Sequence, residues 1–545
     1  MGRAFLFSIC LSLLLSANLY SQTISPEFYQ TEEDLLDGLN QEELTFDQYL
    51  ELLDLMRRKI DLSSVDSQDV SQIPDISLSD VRDSAENQLV EEKLSAFIKS
   101  PVKSDKEFQG ELIWQFQQRL NENELTENYF NLKTKVNRNF SFDLEAQNET
   151  DQTQIRRRSL QYFLPAKNLN IILGNFQKKL GKGVNIGYRS YLNFISASTL
   201  SAPNTLIFPL FTRYNGIFLN YQNQIFHPSI LYSENRFGVY KDQIVGGELL
   251  FKFSRLKVGP ILSWQRISDK SNRFQNSCAS IFGEYQEENF NLSGEAAFLS
   301  GGGKGGVGEF HIRQERYSLR GILWSYSADF IYPPGGGNSN PDYESIDLEN
   351  LNLSFRSRQS GENGIYLSSM MKITPRLKGE GAFNQWRDGG SLINKNKLRL
   401  GIGYLFTPKF SGKLVNYNED FNLGAAGEKI NTTRFVGRYE FKDDLDLQLR
   451  VSYKRKNEVL KKTDLGNVQL IAKFLLFKNS LVKFGIKYTS FDFAEPNNSR
   501  FDFYLEERLK LNQNLFLLAQ YVSKNYSDDE RLDVQNLRIR LEVGW

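Results

Sequence analysis

Residues that build metal sites and disulfides are scarce in this chain of 545 residues, which has two Cys and two His. A structural zinc site takes four Cys or His ligands, so the composition excludes most such sites. Cys10 lies in an N-terminal run that we expect to be removed, and Cys278 is then the one remaining thiol, which excludes an internal disulfide. We therefore expect no metal and no other cofactor.

The chain also lacks net charge and long internal apolar runs. Its 66 Lys and Arg balance 66 Asp and Glu, which excludes a generic polyanion binder. Beyond the N-terminus, no stretch approaches the ~20 apolar residues of a membrane helix. Few Pro (14) and many aromatics (13%) favour β structure. The length predicts either two domains or one large closed sheet.

Residues 1–21 have the layout of a secretory signal peptide. Arg3 gives a positive start, an uncharged apolar run follows to Tyr20, and Ser21 supplies a small residue for cleavage. A retained anchor helix is the alternative, although the run is at the short end for crossing a bilayer. An exported chain without another apolar helix is either soluble or a membrane β-barrel.

Charge divides the remaining chain into two regions. Residues 22–100 carry 19 Asp and Glu against 6 Lys and Arg, whereas residues 101–545 carry 47 against 59. Apolar residues such as Leu35 and Leu39 recur at helical spacing in the acidic region. We therefore predict a small α-helical domain over residues 22–105, on the periplasmic side of whatever follows.

Part of this acidic region resembles a degenerate helix-hairpin-helix, with its hairpin at Ile73, Pro74, Asp75, Ile76 and Ser77. In that motif two glycines bring backbone N–H groups to a DNA phosphate. Asp75 and Ser77 stand at the glycine positions, and the surrounding negative charge repels phosphate. We expect a packing module and do not expect nucleic acid as a partner, with DNA binding kept as a weaker alternative.

From Gly110 onward the hydrophobic period changes to two. In the last segment apolar residues alternate with polar ones: Leu537, Ile539, Leu541 and Val543 against Arg538, Arg540, Glu542 and Gly544. Such segments are about ten residues long, the length of a tilted strand that crosses a bilayer. The alternative is an amphipathic strand of a soluble sandwich. The chain ends on Trp545, so Leu541, Val543 and Trp545 are the predicted insertion signal for the barrel-assembly machinery, with outer-membrane lipid as the other partner.

Turn signals alternate with longer polar stretches along this region. Short turns are predicted at 137–139, 165–167, 222–223, 286–288, 374–376, 407–409, 442–444, 478–479 and 512–513. Longer loops are predicted at 147–156, 265–278, 386–396, 419–430, 455–467, 491–499 and 523–532. If residues 348–358 belong to an outer loop, residues 106–545 form a large antiparallel transmembrane β-barrel of about 24 strands (range 22–26), with both termini in the periplasm.

The candidate lumen residues are charged residues on the predicted inner face: Glu309, His311, Arg313, Arg538, Arg540 and Glu542. Phe310 and Ile312 would then face lipid. A Glu–His pair beside a Ser is also the arrangement of some hydrolases. We prefer a row of mutually neutralising lumen charges and do not predict an enzyme.

One connection is much longer than the others, from Lys178 to Tyr214. A loop of this length is usually functional or disordered, and this one could fold into the lumen as a constriction. The candidate constriction residues are Lys178, Gly181, Gly183, Tyr188 and Arg189.

The sequence from Ile171 to Gly183, with Gly174-Asn175-Phe176 and Leu180-Gly181-Lys182-Gly183, resembles a signature of a Bacteroidota outer-membrane family. Its members carry an N-terminal helix-hairpin-helix before a barrel. The segment from Gly361 to Trp386 resembles a second region of that family. The resemblance implies a location and a fold, and no biochemical activity.

Two functions follow from the sequence. The first is a pore or gated channel with a polar lumen, for which the helical domain is a plug or an interaction domain. The second is a non-conducting outer-membrane anchor or scaffold whose acidic domain binds a periplasmic protein partner. DNA uptake through the hairpin is the weaker third.

Overall fold

A computed structural model gives the structure of the chain from Phe108 to Gly544. It describes this range except residues 120–125, 137–138, 150–151, 165–166, 177, 188–213, 238–239, 269–272, 315, 331, 333, 336–360, 389–392, 424–425, 442–444, 458–460, 478–479, 494–497, 513–514 and 528–532. The predicted signal peptide, the acidic domain with its hairpin, and residues 348–358 lie outside the described residues. No helix among the described residues is long and apolar enough to cross a membrane.

The described residues form 24 β-strands. In chain order they are β1 Phe108–Arg119, β2 Thr126–Val136, β3 Phe140–Glu149, β4 Gln152–Leu164, β5 Leu169–Phe176, β6 Tyr214–Tyr221, β7 Phe226–Phe237, β8 Tyr240–Phe253, β9 Leu256–Ser268, β10 Arg273–Gln286, β11 Phe290–Leu299, β12 Lys304–Arg313, β13 Tyr317–Tyr326, β14 Glu362–Thr374, β15 Leu377–Asp388, β16 Ile393–Thr407, β17 Phe410–Leu423, β18 Ala426–Glu440, β19 Leu445–Asn457, β20 Lys462–Phe477, β21 Ser480–Ser490, β22 Ser499–Asn512, β23 Leu515–Tyr526 and β24 Val534–Gly544.

The strands form one closed antiparallel barrel. Each strand pairs with the next along the chain, and β1 closes the sheet by pairing with β24, where Leu112 lies opposite Val543 and Phe116 opposite Ile539. Closure pairs the backbone groups of the strand edges, which no open sheet achieves. The strand number lies within the predicted range, and the start of β1 and the end of β24 lie at the same end of the barrel.

The two ends of the barrel differ in their connections. At the end where β1 begins and β24 ends, two to four residues join each pair of strands, as between Phe253 of β8 and Leu256 of β9. All nine predicted short turns fall there. At the other end the two longest connections leave β5 and β13, and each contains more than 30 residues. This asymmetry is typical of outer-membrane barrels, whose short turns are periplasmic.

Several predicted long loops are shorter in the structure. Only residues 150–151 separate β3 from β4, and only 424–425 separate β17 from β18. The same applies to the loops predicted around 265–278, 386–396 and 455–467, where the strands extend into the polar sequence. Beyond the part of a strand that faces hydrocarbon, both of its faces contact water. The alternation of apolar and polar residues therefore ends there, while the hydrogen bonds between strands continue.

The two faces of the wall follow the sequence alternation. In β9, Leu262 is 60% exposed and points outward, whereas the neighbouring Ile261 and Ser263 are buried inside the barrel. Ile281 of β10 and Leu323 of β13 are likewise exposed outward. Apolar side chains facing away from the lumen have no protein to cover them, which is the arrangement that hydrocarbon stabilises.

Aromatic side chains contact one another at the short-turn end along two parts of the barrel, β16 to β18 and β6 to β11. Phe406 stacks on Phe410 with ring centroids 4.9 Å apart, and Phe410 contacts Tyr439, which contacts Phe441. Further pairs lie at the ends of β6 and β7, of β8, and of β10 and β11. Such a girdle is typical of the level where a barrel leaves the hydrocarbon for the lipid headgroups.

Candidate functional site

Part of the long connection between β5 and β6 lies inside the barrel. We call residues 178–187 the inward segment. Its backbone turns back on itself, because the N–H of Leu180 donates to the carbonyl of Ile186 at 2.9 Å. Leu180 and Ile186 are buried against the inward-facing Ile244 and Ile261. The segment therefore covers the inner wall from within, at the connection predicted as a constriction.

Two glycines permit the tight path of the inward segment. Gly181 has φ of +54° and Gly183 has φ of +82°, a region that other residues adopt only at a cost. A Cβ on Gly181 would lie 2.6 Å from Cδ1 of Ile261 and 2.9 Å from Oε2 of Glu295. Gly181 therefore meets both a conformational and a packing requirement.

Glu295 on β11 anchors the inward segment. Its Oε2 accepts hydrogen bonds from the backbone N–H groups of Lys182 at 2.8 Å and of Val184 at 3.1 Å. Its Oε1 accepts the N–H of Asn185 at 3.0 Å and the hydroxyl of Ser280 at 2.8 Å. Because Glu295 is 3% exposed, water cannot replace these donors. The carboxylate of Glu295 thus accepts hydrogen bonds from three backbone N–H groups of a segment that is not part of the barrel sheet.

The side chain of Asn185 ties the inward segment to two strands, β9 and β10. Its Nδ2 donates to the carbonyl of Ile261 at 3.0 Å, to that of Cys278 at 3.3 Å and to the hydroxyl of Ser280 at 3.2 Å. The hydroxyl of Ser263 donates to its Oδ1. Asn185 is fully buried, so this amide fixes the segment in one position on the wall.

Lys182 extends from the inward segment to the predicted lumen row of β12. Its Nζ pairs with Oε2 of Glu309, whose Oε1 accepts from Nε of Arg320 at 2.7 Å. His311, two residues further along the same face, contacts the hydroxyl of Ser318 at 3.1 Å through Nε2. The carboxylate of Glu309 therefore neutralises two cations. It does not orient the imidazole of His311, whereas the catalytic triad of a hydrolase requires a carboxylate that does so.

The second long connection also folds inward. Its Tyr332 hydroxyl lies 2.6 Å from the Ser263 hydroxyl, and the N–H of Gly187 donates to the carbonyl of Pro334 at 3.0 Å. Tyr214, the first residue of β6, donates to the carbonyl of Gly187 at 2.9 Å. The described parts of the two connections thus contact each other on one side of the lumen.

Beneath these connections the inner wall of β5 to β15 carries two clusters of buried apolar side chains among its polar and charged ones. One buried cluster surrounds Leu180 and Ile186: Ile172, Phe176, Tyr214, Phe218, Leu231, Ile244, Ile261 and Phe282. A second surrounds Val184: Cys278, Ala297, Leu299, Val307, Ile322, Trp324, Tyr326, Phe330, Tyr332 and Trp386. Burial of these apolar side chains contributes to the free energy that holds the inward segment in place.

The remaining candidate residues lie apart from the inward segment. Leu541 lies opposite the outward-facing Trp114, which puts Arg540 and Glu542 on the inner face, where Nε of Arg540 is 2.9 Å from Oε1 of Glu542. Arg313, Arg538 and Val543 lie within β12 and β24. Tyr188, Arg189, Trp545 and the five hairpin residues lie outside the described residues.

Sequence reasoning identified Lys178, Gly181 and Gly183 but missed the groups that anchor them. Glu295 lies in Asn291-Leu292-Ser293-Gly294-Glu295, where it looks like any inward charge of an alternating strand. Only the distance from Glu295 to three backbone N–H groups reveals its role. Among the described residues, no group of three Cys, His, Asp or Glu side chains is arranged to hold a metal.

No protein-family model and no curated protein matches the chain. Among solved structures it is similar to the siderophore receptor PirA from Pseudomonas aeruginosa, with a TM-score of 0.45, 6% identity and 82% of each chain covered. It is similar to the copper transporter OprC, with a TM-score of 0.44, 8% identity, and 82% of this chain and 83% of that chain covered. For the P pilus usher PapC translocation pore the TM-score is 0.40 and the identity 8%, with 80% of this chain and 99% of the usher covered. These similarities do not indicate the function of the barrel.

Proposed function

We propose that the chain is an outer-membrane channel whose lumen is narrowed by the inward segment. The observation that carries this proposal is the closed barrel with an apolar outer face and a charged inner face. A barrel of this kind is stable in a bilayer because no backbone edge meets lipid. The signal peptide predicted at residues 1–21 supplies the route to that membrane.

The orientation follows from the connections. The short-turn end carries the start of β1, the end of β24 and the aromatic pairs, so it faces the periplasm. The predicted helical domain of residues 22–105 then lies on the periplasmic side, next to the start of β1. There it is a plug or a site for a periplasmic protein partner.

Constriction by the inward segment is supported by its attachment. Ten residues are held on the inner wall by Glu295, Asn185 and the pair of Lys182 with Glu309. A segment without such anchors would lose chain entropy on entering the lumen with only apolar burial to offset it. Such anchors are expected for a segment that has to stay in place while solutes pass beside it.

Planar-bilayer recording of the full chain tests the channel. We expect stepwise conductance, and a larger unit conductance when residues 178–187 are replaced by a short Gly-Ser connection. The replacement lacks the anchored segment but keeps every strand. Equal unit conductance in both proteins would show that the inward segment is not the constriction.

A second candidate is the non-conducting anchor. It is favoured by one observation: two apolar clusters on the inner wall of β5 to β15 are covered by the chain itself, as in a filled lumen. Absence of conductance from correctly folded protein would select this function. Folding is checked independently by the heat-dependent gel mobility of barrels.

A further inference from the structure

The outer surface of the barrel carries basic side chains across β7 to β10, at the end opposite the short turns. We call Arg236, Lys241, Arg266 and Arg273 the outer basic patch. Arg236 lies directly opposite Lys241. Ser268 of β9 lies opposite Lys241 on one side and opposite Arg273 on the other, and Arg266 is two residues before it. The strand register therefore brings the four cations together.

Alternation along each strand shows that the patch faces away from the lumen. Each member shares its face of the strand with an exposed apolar side chain: Ile230 on β7, Val245 on β8, Leu262 on β9 and Ile281 on β10. The opposite face of each strand is buried inside the barrel, at Asn235, Asp242, Gln265 and Cys278. The patch therefore continues the lipid-facing surface towards the end that lacks the short turns.

Aromatic side chains lie between the patch and the apolar surface. On the outer face of β9, Trp264 stands between Leu262 and Arg266, and on β7 Tyr232 stands two residues after Ile230. Trp and Tyr are enriched at the level where a barrel leaves hydrocarbon for lipid headgroups. The patch thus lies at the headgroups of one leaflet, which is the outer leaflet in the orientation proposed above.

One carboxylate, that of Glu234, lies among the cations of β7 and β8. Its Oε2 is 3.0 Å from Nζ of Lys241, and its Oε1 is 3.8 Å from Nη2 of Arg236. The same Oε2 accepts hydrogen bonds from the hydroxyl of Tyr232 at 2.9 Å and from Nε2 of Gln243 at 3.0 Å. Glu234 therefore balances one charge on β7 and β8, and does not reach the cations on β9 and β10.

Arg266 and Arg273 have neutral neighbours. Arg266 lies opposite Gln243 on one side and Gln275 on the other, and its buried Nε has no hydrogen-bond partner among the described residues. Arg273 donates from Nη2 to Oε1 of Gln275 at 2.6 Å. Within the described chain, which omits residues 269–272, neither guanidinium pairs with a carboxylate. The omitted residues contain one Asp and one Lys, so they leave the net charge unchanged.

We propose that the outer basic patch binds the phosphate groups of lipids in the surrounding leaflet. Guanidinium groups form bidentate, charge-assisted hydrogen bonds with phosphate oxygens. The row from Arg236 to Arg273 spans three strand spacings, roughly 14 Å, which is enough for a headgroup with one or two phosphates. A phosphate beside Arg236 and Lys241 would also offset the repulsion of two cations that face each other across a strand pair.

Native mass spectrometry of the full chain in a neutral detergent counts the bound lipids. Phosphatidic acid is the probe, and phosphatidylcholine with the same acyl chains is its control, because choline caps the phosphate and cancels its net charge. We expect phosphatidic acid to bind much better than phosphatidylcholine. The double variant Arg266→Gln and Arg273→Gln should raise the dissociation constant of phosphatidic acid by roughly tenfold.

A matched control variant combines Lys304→Gln with Arg387→Gln. Both residues are exposed at the same end of the barrel, on β12 and β15, so the variant loses the same charge outside the patch. It should bind phosphatidic acid like the unmodified chain, and heat-dependent gel mobility checks that each protein is folded. Equal affinity of the two double variants overturns the proposal, and so does equal binding of the two lipids by the unmodified chain.

Inorganic phosphate separates a lipid site from a general anion site. We expect phosphatidic acid to stay bound when inorganic phosphate is added at the same concentration, because the acyl chains add contacts below the patch. Displacement at equal concentration would show that the patch takes free anions, and the assignment to lipid would be wrong. The inference does not depend on conduction through the lumen, since a folded chain that binds phosphatidic acid at the patch but does not conduct supports the patch and refutes the channel.

Discussion

Glu295 offers the sharpest test of the inward segment, through the variant Glu295→Gln. The amide has nearly the same shape as the carboxylate but offers one acceptor oxygen, and it turns an N–H₂ group toward backbone N–H donors. In the structure Oε2 accepts from Lys182 and Val184, and Oε1 from Asn185 and Ser280. At least one of these two pairs of donors loses its acceptor in the variant.

The magnitude follows from the lost bonds. A hydrogen bond to a charged group contributes about 1.5–3 kcal/mol, and a buried donor left without a partner costs about 1–3 kcal/mol. Loss of one pair should therefore destabilise the attached state of the inward segment by about 3 kcal/mol. Since 1.4 kcal/mol is a factor of ten, the detached population should rise about 100-fold.

Hydrogen exchange followed by mass spectrometry measures that population. We expect the backbone N–H groups of residues 182–185 to exchange about 100-fold faster in the variant than in the unmodified barrel. The matched control is Glu284→Gln on the neighbouring β10, whose carboxylate pairs with Lys257 at 3.0 Å and does not touch the inward segment. If Glu295→Gln and Glu284→Gln exchanged alike at residues 182–185, the anchoring role of Glu295 would be wrong.

Two further predictions rest on the structure and two on the sequence. Gly181→Ala adds a Cβ where the space and the φ angle both oppose it, so limited proteolysis should cut the inward segment faster than in the unmodified chain. Ile539→Arg puts a charge toward lipid near mid-strand and should cost roughly 2–4 kcal/mol of unfolding free energy in vesicles, whereas Arg540→Ile should cost less; the reverse order would contradict the register. Deletion of Trp545 should slow assembly of the barrel, which pulse labelling would show as unfolded chain in the periplasm. Assembly at the rate of the unmodified chain would refute the prediction that the C-terminal residues are an insertion signal. Purified segment 23–100 should show no shift of duplex DNA on a gel at physiological salt, because its net charge is negative; a salt-sensitive complex would restore the DNA alternative.

The barrel itself was predictable because its signal is local. Residues alternate in β24 as Leu537, Arg538, Ile539 and Arg540, and the structure pairs them as that alternation requires. The turns were predictable for the same reason, since short polar breaks interrupt the period of two. The loop lengths were overestimated, because a strand outside the bilayer needs no apolar face and is polar like a loop.

The candidate site was only half predictable. The length and glycines of the connection after β5 indicated a functional loop, and Gly181 and Gly183 do fix its path. Its partner Glu295 is more than 100 residues away along the chain. Contacts at that separation depend on how the barrel closes, and a single sequence carries no local pattern that reports them.

One local pattern does report which part of the wall is covered. In β9, Pro260-Ile261-Leu262 is continuously apolar, and in β13 Ile322-Leu323-Trp324 is as well. A strand with lipid on one face and water on the other has to alternate, as β19 does from Leu445 to Val451. A strand that is apolar on both faces must be buried on both, which here means lipid outside and the chain's own connections inside. Loss of alternation in a few neighbouring barrel strands therefore predicts an internal cover on that side.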